Sequence, residues 1–216
     1  MPATPSLAEL RQLLAARFPS ASPRESPALP TGIPALDNPD AGGLSAGAFT
    51  ELVCEGSGGG LVLAALLAAT RRARQRLALL DAADTFAPDD FPADLLEHLV
   101  WARGAGADLK PFWAAADLLL RDSHFAVVVL DLRGVPEREL LRTPGPLWYR
   151  LQRALEQSGV AALVLSPLPA SPCARRRFRL TGGLHAPALH TARATLCAEL
   201  AAHPELRRGA FEERTA

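Results

Sequence analysis

Phe49-Thr-Glu-Leu-Val-Cys54-Glu-Gly56-Ser57-Gly58-Gly59-Gly60-Leu61, running on through alanines and leucines to Gln75, sets the architecture. Six residues rich in β-formers predict a buried strand over Phe49–Cys54, the glycines a turn, and Leu61 to Gln75 a helix. The alternation continues along the chain. Leu77–Asp81, Leu99–Ala102, Ala126–Asp131 and Val160–Leu165 read as strands, while Leu109–Arg121 and Leu147–Gln157 read as helices. Apolar strands separated by helices predict an α/β fold, with a mainly parallel central sheet flanked by helices. Arg175–Leu180 and Leu184–Leu189 are expected as late edge strands, and the chain from about Ala192 as a charged helical tail with disordered last residues.

Composition narrows the function classes. The 216 residues carry 23 basic and 23 acidic side chains, so no global field draws the chain to nucleic acid or to a membrane. The longest wholly apolar run, Leu61–Ala69, is too short for a bilayer span. No basic segment followed by an apolar one opens the chain, so a cytoplasmic location is expected rather than secretion. Cys54, Cys173 and Cys197 are odd in number and far apart, which suits a reducing compartment and excludes a disulfide framework.

Residues 1–28 read as a separate unit. Ser6 and Glu9 form an S-x-x-E capping box for a helix reaching Phe18, whose apolar stripe is Leu7, Leu10, Leu14 and Phe18. Residues 19–30 hold four prolines and three serines, a linker composition. Such a short helix needs a surface, either its own domain or a partner's.

The glycine loop Gly56-Ser57-Gly58-Gly59-Gly60-Leu61 joins a strand to a helix, the setting of a phosphate-binding loop. A working loop of this kind also requires a Lys for the β and γ phosphates and a Ser or Thr for magnesium. Gly60 and Leu61 stand in those places. Asp131, closing Val127-Val-Val-Leu-Asp, has the position of a Walker B aspartate, and its alternative role is an ordinary strand-end carboxylate satisfied by backbone.

The ordered set around the loop carries a family resemblance. Leu29-Pro-Thr31-Gly32-Ile33-Pro-Ala-Leu36-Asp37, then Ala41-Gly42-Gly43-Leu44-Ser45-Ala-Gly47-Ala-Phe49-Thr-Glu51-Leu52, resembles the entry into the core of RecA recombinases. Together with Leu99–Arg103, Phe112–Asp117, Ala126–Asp131 and Trp148–Leu155 it is similar to the ImuA family, RecA-like accessory proteins of bacterial mutagenesis cassettes that are also labelled SulA-like. The resemblance covers about residues 29–180. It implies a RecA-like core over 29–191, a non-catalytic role in DNA-damage-induced (SOS) mutagenesis and translesion synthesis, and binding to ImuB, an inactive Y-family polymerase homologue. RecA and further copies of the chain are the additional partners it suggests. On this alignment the water-activating glutamate is Ala83, and Leu165-Ser166-Pro167 lacks the amide that senses the γ-phosphate. With lysine, hydroxyl, glutamate and amide all missing, neither catalysis nor a bound cofactor is expected. Two alternatives remain at this level. One is an atypical RecA/RadA-type ATPase acting on DNA, in which Arg71 or Arg103 would replace the lost ammonium; the other is a SulA-like cell-division inhibitor.

Arg175, Arg176, Arg177 and Arg179 lie in a stretch free of Asp and Glu. They are candidates for contacting DNA or an acidic partner, or else solvated guards of a sheet edge. The five histidines show no metal-ligand spacing, so no metal is expected. Cys54 and the tryptophans 101, 113 and 148 read as packing residues, and Ser57 lacks the surroundings of a nucleophile elbow.

Overall fold

The computed structural model describes residues 28–37, 42–104, 108–181, 188 and 190–205. Leu7, Leu10, Leu14 and Phe18 lie outside the described residues, as does Leu184–Leu189 apart from Ala188. The chain folds as three layers. A seven-stranded sheet of order β5-β4-β6-β7-β3-β8-β9 is parallel except for its last strand. Its members are β3 (Phe49–Cys54), β4 (Arg76–Asp81), β5 (Leu99–Arg103), β6 (Phe125–Asp131), β7 (Ala161–Ser166), β8 (Arg176–Thr181) and β9 (Ala201–Pro204). A two-stranded ribbon, β1 (Ala28–Leu29) with β2 (Leu44–Ser45), precedes it and brackets the short helix α1 (Pro34–Asp37).

Side-chain alternation along the strands builds two cores. Leu77, Leu79, Val127, Val129, Leu163 and Leu165 face α2 (Gly59–Arg72) and α7 (Arg193–Ala198). Ala78, Leu80, Val128, Leu130, Ala162 and Val164 face α4 (Lys110–Leu120), α5 (Glu137–Leu141) and α6 (Gly145–Ser158). Trp148 on α6 is fully buried and meets Phe49 and Trp113 edge to face, with ring centroids at 5.6 and 5.1 Å. A further turn, α3 (Ala93–Leu96), leads into β5. Among the described residues no helix is long and apolar enough to cross a membrane.

The entry motif has a physical purpose. The Asp37 carboxylate accepts from the Thr31 amide, the Thr31 hydroxyl and the Gly32 amide, each at 2.8 Å, closing the turn before β2. Gly43 sits at φ +77°, and any Cβ there would strike the Leu29 carbonyl. Boundaries differ from the expected ones for local reasons. The loop's Gly58 takes right-handed helical angles, so α2 starts at Gly59 rather than Leu61. It stops at Arg72 rather than Gln75 because Arg74 adopts φ 54°.

Two expectations are corrected. Arg175–Leu180 is not an edge: β8 pairs with β3 on one side and β9 on the other. Nor is the segment from Ala192 a helical tail, since α7 is followed by β9, which completes the sheet. Cys197 of α7 is buried and donates to the Leu61 carbonyl, fastening this segment to α2. The unit expected to end at residue 191 therefore extends through Pro204.

Candidate functional site

The carboxyl ends of the parallel strands β3, β4, β6 and β7 meet where an open α/β sheet carries its ligand. The glycine loop leaves β3 there and opens into α2, whose N-terminus has no side-chain cap. Gly58 and Gly59 are buried, Gly56, Ser57 and Gly60 exposed, and Leu61 turns into the core at 8 % exposure. Leu61 therefore packs as a hydrophobe in the place expected for a magnesium-binding hydroxyl. A Cβ at Gly60 would meet nothing within 4 Å.

The cation that reaches this loop is Arg133, which sequence reasoning missed. Its guanidinium and Cδ press on the Gly59 backbone so closely that a Cβ on Gly59 would lie 2.6 Å from Cδ and closer still to the guanidinium. Nε and Nη2 of the same side chain donate to the two oxygens of Asp131 at 2.8 and 2.5 Å, and the Arg133 amide adds a third bond at 3.2 Å. Burial on its own would lower the guanidinium's pKa, but the paired Asp131 outweighs it and raises the pKa above the ordinary value. Asp131 is thus satisfied by a neighbouring guanidinium and not by backbone alone. The available signal was spacing: an Arg two residues past a strand-ending Asp can fold back onto it.

Arg71 and Arg103, the two residues considered for that place, are elsewhere. Arg71 pairs with Glu97 at 2.9 Å. Arg103 forms a bidentate pair with Asp84 and lies 4.9 Å over the Trp101 ring. The other strand-end carboxylate, Asp81, is fully buried and accepts from the amides of Thr85 and Phe86 at 3.0 and 2.8 Å. Ala83, aligned with the activating glutamate, stands against Gly134, where an added Cβ would come within 2.5 Å of the Ala83 methyl. Cys54 is buried beneath the loop. Desolvation pushes its thiol up to about 12 against the opposing pull of Arg133, so it stays a protonated packing group.

The four arginines of the basic stretch have separate surroundings. Arg177 pairs with the fully buried Glu51 at 2.7 Å and donates to the Ser171 carbonyl. Arg179 is held by Glu55 and Glu205. Arg176 donates to the Gly43 carbonyl at 3.2 Å, and Arg175 is exposed. Arg177 and Arg179 share one face of the interior strand β8 and Arg176 lies on the other, each already held by a carboxylate or a carbonyl.

Between the glycine loop, the loop at residues 85–91 and α7 opens a cleft of about 770 Å³. Arg133 and Arg193 are both in its lining. Among the described residues, no three His, Cys, Asp or Glu side chains converge on a point that could hold a metal ion. No protein-family model and no curated protein matches the chain.

Proposed function

We propose that this chain is a non-catalytic RecA-like protein that works by protein–protein interaction. In the setting implied by its resemblance to the ImuA family, it is an accessory in DNA-damage-induced mutagenesis that binds an ImuB-like inactive polymerase homologue. The observation that carries the reading is the Arg133–Asp131 pair lying on Gly59. A nucleotide β-phosphate cradled by this loop would meet the Arg133 side chain in the space against Gly59, and would compete with Asp131 for that guanidinium's donors. A magnesium ion would compete with the guanidinium for Asp131. Without a loop lysine or hydroxyl, nothing on the loop repays the loss of a buried ion pair. Of the cations weighed for the atypical-ATPase alternative, Arg71 and Arg103 are paired with Glu97 and Asp84, and Arg133, which does reach the loop, is already neutralised by Asp131.

Calorimetric titration with ATP and magnesium tests this. No saturable heat is expected for the wild type, nor any DNA-stimulated turnover above a mock-purified control. Saturable binding, or turnover abolished by Asp131→Asn, would overturn the non-catalytic reading. The partner assignment has its own test. Co-expressed ImuB homologue is expected to co-elute with the full chain in size-exclusion chromatography, and separate elution at micromolar concentration would remove it.

A further inference from the structure

The cleft beside the glycine loop sets cationic side chains beside an apolar wall. Its apolar wall is Phe86, stacked on Phe91 with centroids 5.1 Å apart, together with Leu61 and Leu196. At its rim Arg193 donates to the Asp90 backbone carbonyl at 3.0 Å and lies 4.7 Å over the Phe91 ring. Both partners are neutral, and among the described residues no carboxylate is within ion-pairing distance of Arg193. Two guanidiniums line the cleft against one carboxylate, Asp90, while Asp81 and Asp131 are consumed by their own hydrogen bonds.

Stacked aromatics flanked by an arginine are the composition of interface hot spots. We infer that this cleft is the docking site for a short acidic-apolar segment of a partner protein. One or two apolar side chains lie over Phe86, Phe91 and Leu196, and an adjacent carboxylate meets Arg193. The inference rests on the non-catalytic reading above and gives the interaction a place and a chemistry. The charge complementarity is specific to one residue: the segment's carboxylate belongs with Arg193, whose charge no carboxylate among the described residues meets, and not with Arg133, which Asp131 already pairs. In such a pair electrostatics contribute specificity and encounter rate more than affinity.

The test uses the full chain and a random dodecapeptide library displayed on phage. Enriched peptides are expected to place Asp or Glu next to aromatic or aliphatic residues. A synthetic version titrated by fluorescence polarisation should lose affinity by about tenfold or more on Gly60→Trp, which fills the cleft with a buried-hot-spot-sized side chain. Gly60 is exposed and has open space at its Cβ, so this variant is expected to fold, and its melting temperature checks that. Arg193→Glu should weaken the acidic peptide and shift the selection toward Lys and Arg. No enrichment over bare support, or equal binding to Gly60→Trp, overturns the inference. So does concentration-dependent self-association in sedimentation that Gly60→Trp abolishes, because the occupant is then a second copy. ATP titration on the same preparation reports on the retired-loop reading alone, so the two can fail separately.

Discussion

Two buried arginine–carboxylate pairs lie in neighbouring parts of the sheet, and their burial is nearly the same. Glu51 and Asp131 side chains are both at 0 % exposure, with Arg177 at 21 % and Arg133 at 20 %. Their partners are different in kind. Glu51, in the middle of β3, also accepts from the Ser166 hydroxyl and the amides of Ala170 and Ser171 at 2.7–3.1 Å. It ties β3 to the end of β7, the loop after it and β8, all more than a hundred residues further along the chain. Asp131 bonds a residue two positions away, and that residue borders an open cleft. The first pair is a staple of the fold. The second is local, and its consequence is occupancy of the glycine loop.

That contrast can be broken most directly at Glu51. Glu51→Ala strands Arg177 in the interior and leaves two loop amides unpaired, so a loss of about 3–5 kcal/mol is expected in denaturant unfolding. A loss near zero would end the staple interpretation. Next in size is Gly59→Ala, which forces its methyl into Arg133 and should cost about 1–3 kcal/mol by overpacking. In an Arg133→Ala background the same change should turn into a gain of about 0.5–1 kcal/mol, because alanine is the better helix residue. Additive effects in that double-mutant cycle would show that Arg133 does not rest on the loop.

Asp131→Ala is expected to cost less than Glu51→Ala, about 1–2 kcal/mol, since Arg133 can turn outward into the cleft and regain water. Equal losses at the two sites would erase the distinction between them.

The smallest expected effect lies at the opposite end of the sheet, where His98 bonds the Thr70 hydroxyl at 2.8 Å. Burial, and secondarily the charge of Arg71, holds His98 below its ordinary 6.5. The unfolded chain therefore binds the proton first as pH falls. This contribution is complete above pH 6.5 and is lost as pH drops below it toward the folded value. His98→Gln should flatten the stability profile between about pH 7 and 5, leaving the acid losses of Asp84 and Asp117 at lower pH. Those carboxyls are held below their usual range, first by hydrogen bonds from Arg103 and Arg121. An unchanged profile would show that His98 titrates alike in both states.

Strand and helix identities around the glycine loop were legible because their signals are local. Phe49–Cys54 is rich in β-formers and Ala126–Leu130 is an unbroken apolar run, and β3 has the expected bounds while β6 begins one residue earlier. The missing lysine and hydroxyl were visible in the letters Gly60 and Leu61. The strand order, the interior place of β8 and the existence of β9 were not. Ala201-Ala-His-Pro204 has no strand periodicity, and it is extended only because β8 offers it an edge to pair with.

The four arginines of the basic stretch show the same division. Sequence alone determined that they are cationic and clustered along the chain. Tertiary structure decided that Arg177 meets Glu51 and that Arg179 meets Glu55 and Glu205. A charge's effect depends on what stands within a few ångströms of it, and those neighbours come from distant segments. Arg133 is the sharpest instance. Composition and spacing gave a glycine loop with neither the lysine nor the hydroxyl of a working phosphate loop, but only the packing of the β6 end against α2 put a neutralised guanidinium on Gly59. The glycine permits that contact because it has no Cβ, and the sequence states the permission without naming what uses it.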